Sequence, residues 1–195
     1  MDIFSNKYKL VESKSTILLS EYINHFNDNQ YFLQFCAQCP TYGTRWCCPP
    51  FDFSPIEKIE NFKYAHIFGN QLFFTDEQIQ KSKTEKNGER ICRESIENVI
   101  IELHPKLLEM RDKNAPAIAF SVGCYLCKEK GCSRLNGEKC RYPQKMLHSL
   151  ESFGFNIAKS CKELLNIDLL WSSDGILPRY ITVVTAIFSN DKVLK

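Results

Sequence analysis

Long apolar runs are missing from this chain. The fullest stretch, Ile181 to Phe188, has the length of a strand and is broken by threonine, so no segment suits a membrane-spanning helix. A strong charge of either sign is missing too. Twenty-five basic and 23 acidic residues leave a net charge of +2, which excludes nucleic-acid binding driven by bulk electrostatics. No DNA- or RNA-reading motif is present. Met1 to Glu12 places an acid at position 2 and has no unbroken apolar segment before small residues, so it does not read as a secretory signal. The expected compartment is therefore the reducing cytoplasm, where thiols serve as ligands, redox groups or packing and seldom as structural disulfides.

Several catalytic signatures are absent as well. The chain has no Walker loop, no Gly-x-Gly-x-x-Gly, no Cys-x2-Cys-His for haem attachment and no Cys-x3-Cys-x2-Cys for radical chemistry. His25, His66, His104 and His148 form no His-x3-His pair, and no Ser-His-Asp or paired-carboxylate arrangement stands out. Low-complexity linkers and internal repeats are also lacking, so the 195 residues read as a single domain. Such a chain buries roughly 70% of its unfolded surface and needs no covalent staple.

What the chain does have is cysteine, ten in all. Eight of them fall in two short loops, 36–51 and 123–143. The second loop carries Cys124, Cys127, Cys132 and Cys140. Its opening Cys-x2-Cys sets two thiolates on one tight turn, and Gly131 and Gly137 let the chain fold back. Four soft anionic donors in a loop rich in Lys, Glu and Arg suit a tetrahedral zinc or an iron–sulfur cluster better than packing. The first loop carries Cys36, Cys39, Cys47 and Cys48 and ends in Cys-Pro-Pro. The prolines pre-set Cys48, and adjacent side chains usually point apart, so Cys36, Cys39 and Cys48 are the expected ligands there, with Cys47 a candidate fourth. Trp46, Tyr42 and Phe51 are expected to shield the site. Pro40, Gly43, Pro49 and Pro50 exclude the helix that a thioredoxin-like pair requires. Cys92 and Cys161 lie on apolar stripes of expected helices and read as core.

The element pattern predicts α/β (α+β) architecture: a small mixed sheet of about three to five strands flanked by helices. Helices are expected over Ser15 to Phe26, Gly88 to Asp112 (kinked or split at Pro105), Gln144 to Phe153 and Ile157 to Leu165. Strands are expected over Tyr64 to Phe74, Ala117 to Val122 and Arg179 to Phe188. Tyr31 to Phe35 reads as a strand or as the entry to the first loop.

At the two loops the chain resembles a prokaryotic family of cysteine-rich predicted metal-binding proteins, a domain of unknown function. The matching motifs are Cys36, Cys39, Pro40, Tyr42, Gly43, Cys48, Pro49, Pro50 and Phe51, then Cys124, Cys127, Cys132, Cys140, Arg141 and Pro143. A Ser-x-Glu-x-x-Gly segment follows as Ser149, Glu151 and Gly154, with His148 where the family usually has proline. The resemblance implies metal binding and names no reaction.

Three functional readings follow. In the first, the chain is a 4Fe–4S protein with one or two clusters, working in electron transfer or redox support. From Lys128 to Lys145 six bases face two acids, which would raise a cluster's potential and dock an acidic redox partner. In the second, zinc fixes both loops as a structural ion. In the third, three cysteines at the first loop leave an open coordination position for a substrate.

Overall fold

A computed structural model describes residues 8–195. Four strands form one sheet: β1 (Lys9–Leu18), β2 (Tyr64–Phe73), β3 (Ala117–Phe120) and β4 (Tyr180–Ser189), in the order β1-β2-β4-β3. Five helices accompany them: α1 (Leu19–Phe26), α2 (Asn29–Gln38), α3 (Asp76–Glu85), α4 (Gly88–Lys113) and α5 (Ile157–Leu165). The α+β expectation holds. The sheet expected to be mixed is antiparallel in every strand pairing, and a parallel bridge joins only Phe120 to His148 among the described residues.

The sheet is the middle of three layers. One face carries Ala65, Ile67, Val184, Ala186 and Phe188 against α1, α5 and an aromatic group around Tyr22, Phe153 and Phe155. On the other face Phe68, Leu72, Ile181, Val183 and Ile187 meet Val99, Ile100, Leu103 and Leu107 of α4. The central strands β2 and β4 are thus buried on both sides, which is why they read as near-continuous apolar runs in the sequence. Cys161 and Cys92 sit one in each layer, as their helical stripes predict. Burial pushes the Cys161 thiol up to about 12 and the Cys92 thiol up to about 11, so both stay protonated and inert. No helix among the described residues is long and apolar enough to cross a membrane.

Local expectations fail in three places, each for a physical reason. Ser15 to Leu18 belongs to β1 and not to the first helix, because it pairs with Tyr64 to Ile67 of β2. The helical stripe is real only from Leu19, where Leu19, Tyr22 and Phe26 are buried while Leu18 is exposed. Tyr31 to Phe35 lies inside α2, whose start is capped by Asp28 accepting the Tyr31 N–H at 3.0 Å. No residue of α2 is buried, so no apolar stripe betrays it. The segment Gln144 to Phe153 is not a helix. It runs as a turn and an extended piece in which His148 accepts the Ser121 N–H at 2.9 Å, then a single 3-10 turn at Glu151–Phe153. Of the kink or split expected at Pro105, the split does not occur, and α4 runs through as one helix. The carbonyl that Pro105 leaves without a helical partner belongs to Ile101, which is exposed and can be hydrated.

Candidate metal centre

The two cysteine loops meet face to face beyond the sheet. Helix α2 delivers Cys36 in its last turn and Cys39 at its C-cap. The chain then turns through Gly43, whose N–H donates to the Pro49 carbonyl at 2.8 Å and closes the loop. Beyond Pro50, Phe51 stacks on Phe53 and packs edge-on against the buried His148 ring. These rings anchor the rigid Pro-Pro exit to the core and so fix Cys48. The second loop leaves β3 through Ser121 and Val122 and places its cysteines around one cavity.

Arginines fasten the loops to one another. Arg134 of the second loop donates to three first-loop carbonyls: Arg45 at 2.9 Å, Cys48 at 2.6 Å and Pro50 at 2.6 Å. Its guanidinium also lies 5.1 Å from the Trp46 ring centre. Arg45 answers by donating to the Cys124 carbonyl at 3.3 Å and lying over Tyr125. Trp46 Nε1–H donates to the Glu138 carbonyl at 3.1 Å. Trp46 therefore joins the loops and lines the second-loop cavity, where the first-loop site was expected to claim it.

The cysteines divide into two neighbourhoods. Cys124, Cys127, Cys132 and Cys140 all line a cavity of about 310 Å3, together with Arg45, Trp46 and Cys47. Burial pushes the Cys140 thiol up, and the nearby Cys124, Cys132 and Cys127 act in the same direction. In the first loop, Cys39 lies 3.1 Å and Cys48 3.5 Å from the Thr41 hydroxyl. Burial raises the Cys36 thiol, with Cys48 the next cause, then Glu151 and Cys39. Cys39 and Cys48 thus meet at Thr41, with Cys36 close enough to feel both thiols.

Cys47 sits at the seam. It is 2% exposed, its sulfur is 3.7 Å from that of Cys48, and it lines the second-loop cavity together with Cys124. Hydrogen bonding to Cys124 and Cys48, reinforced by burial, holds the Cys47 thiol above the ordinary range. Those same bonds lower Cys48 and Cys124, with Arg45 adding to both. Cys47 thus keeps its proton and favours thiolate on either side of it. His148 Nδ1–H donates to the Cys47 carbonyl at 3.2 Å, and burial among aromatic rings pushes the imidazole down to about 4. Sequence spacing did not reveal this support. The signal that could have found it is a lone histidine, His148, close after the second loop.

Among the described residues, no three His, Cys, Asp or Glu side chains converge tightly enough to hold a single metal ion. The donor set nonetheless fits a metal group: four thiols border one cavity that also has a cationic wall. Only part of the basic stretch faces outward freely. Arg134 is spent on the first loop, Lys128 pairs with Glu97, and Arg141 pairs with Glu138 at 3.8 Å while donating to the Gly131 carbonyl.

An α+β domain carrying two clasped, cysteine-lined loops is a metal-binding architecture in its donor chemistry. The chain belongs to the family described as predicted metal-binding protein (DUF2284), whose profile matches residues 23–187. No curated protein and no solved structure matches it.

Proposed function

We propose that the chain is an iron–sulfur protein working in electron transfer or redox support. Cys124, Cys127, Cys132 and Cys140 would hold a 4Fe–4S cluster, and Cys36, Cys39 and Cys48 a second. The observation that carries this reading is the single cavity of about 310 Å3 bordered by all four second-loop thiols. An iron–sulfur cluster bound there supplies one-electron transfer.

The chain's own residues would tune and protect that chemistry. Arg45 and Arg134 set positive charge beside the loops, which favours the more anionic, reduced form of a thiolate-bound group. The clasp they form also keeps the loops packed and limits water entry. Lys130, Lys139 and Lys145 are exposed and would dock an acidic redox partner.

The first loop supports a second reading. Cys39 and Cys48 meet the Thr41 hydroxyl there, so a metal group held by Cys36, Cys39 and Cys48 alone would keep one position open for a substrate. The test of the leading reading is the visible spectrum of anaerobically purified protein before and after dithionite. Broad absorption that bleaches on reduction is the expected result. A colourless protein would contradict it and favour zinc.

A further inference from the structure

Strand β3 is only four residues long and pairs with Ala186 to Ser189 of β4. Among the described residues, no strand pairs with the remaining half of β4, Tyr180 to Thr185, on that side. An open strand edge leaves backbone donors and acceptors in want of partners. Here the edge borders a cavity of about 290 Å3, at the lower end of the range of roughly 300–1,000 Å3 usual for small-molecule sites.

The lining comes from both layers of the core, with Cys92 and Ile96 on one side of the sheet and Phe155 and Val184 on the other. Two polar side chains stand out in this apolar wall. Thr182 Oγ1 is buried with no hydrogen-bond partner among the described residues. Glu151 comes from the Ser-x-Glu-x-x-Gly segment, which the metal loops leave unexplained.

We propose that this cavity binds a small uncharged molecule, mostly apolar, whose single hydroxyl or carbonyl group meets Glu151 and Thr182. Burial raises the Glu151 carboxyl above its ordinary range, against hydrogen bonds from Ser149 and its own backbone, so a neutral polar group suits this wall better than an added charge. A fixed negative charge on the ligand would lie unpaired beside that carboxyl. A docked strand fits less well, because the cavity spans only Ile181 to Val184 and is bounded by Val122 and by Leu169 to Ser172. Phe32 also lines it, one helical turn before Cys36 in α2, so the ligand would lie close to the first loop. Binding here stands apart from whether the loops carry clusters.

The probe is 1-naphthol, titrated calorimetrically into the anaerobically purified chain, with naphthalene-1-sulfonate as its charged counterpart. Stoichiometric binding of naphthol is expected, with the sulfonate at least about tenfold weaker. Ala158→Trp, at an exposed position on the rim, should weaken naphthol binding by at least about tenfold by filling the space. Glu151→Ala and Thr182→Val should each weaken it by about three- to tenfold, whereas Glu151→Gln should stay within about twofold of the parent. Circular dichroism of each variant separates lost binding from lost folding. No heat with naphthol, unchanged affinity in a folded Ala158→Trp, or equal binding of the sulfonate would each overturn the proposal.

Discussion

The two cysteine loops begin alike and are built differently. Each opens with Cys-x2-Cys, yet the first hangs from a helix with no buried residue, and the second leaves a core strand directly. The second surrounds its own cavity with all four of its cysteines. The first brings Cys39 and Cys48 to Thr41 and sends Cys47 to the seam. Spacing alone therefore does not define a ligand set. The support beneath each loop decides which thiols meet.

The largest effect separates loop cysteines from core cysteines. Cys127→Ser should remove the metal content of the second loop, while Cys161→Ser should retain the full complement, as read by metal analysis of the purified variants. Equal loss in both would erase the distinction.

Next comes the mooring of the first loop. Gly154 has φ +86°, and an added Cβ would lie 2.5 Å from Asn29 Cα at the start of α2. Gly154→Ala should destabilise the chain by roughly 2–4 kcal/mol through backbone strain and that clash. It should also deplete metal at the first loop more than at the second, measured in the Cys127→Ser background against the parent.

The clasp offers a smaller, graded test. Arg134→Ala removes three hydrogen bonds to carbonyls and should lower stability by about 2–3 kcal/mol, against about 1 kcal/mol for Arg45→Ala with its single bond. Denaturant unfolding of the two variants checks the order. Equal losses would mean the loops do not depend on Arg134 in particular.

The smallest effect belongs to the sheet and should leave both loops untouched. His66 is buried between Thr16 on β1 and Ser189 on β4, and burial lowers its pKa. As pH falls below the ordinary histidine value of about 6.5, the unfolded chain takes up a proton that the folded chain refuses, so stability declines until the folded pKa is reached. His66→Gln should flatten part of that decline in unfolding measured from pH 7 to 5, with metal content unchanged.

Much of this molecule is legible in its sequence where burial imposes a period. The apolar runs of β2 and β4 and the stripe of α4 state their own structure. β1 is harder, because its half-buried, serine- and lysine-rich alternation is weak and its last residues imitate a helix. α2 buries nothing and so shows no period. α3 carries a readable signal in the Thr75–Gln78 capping box, although Ile79 is its one apolar residue. The candidate ligands are legible because cysteine clustering in charged loops has few other uses. The seam is not. Cys47 meeting Cys124, Arg134 reaching Pro50 and His148 beneath Cys47 are contacts between residues 77 to 101 positions apart, set only once the sheet has brought the loops together.

The central claim is that both loops are iron–sulfur sites. Iron, acid-labile sulfide and zinc should be assayed together on the chain purified without oxygen. Iron and sulfide in equal amounts, about eight of each per chain, with zinc negligible, are the predicted result, and about four of each would confine the cluster to one loop. Stoichiometric zinc with no sulfide would contradict it.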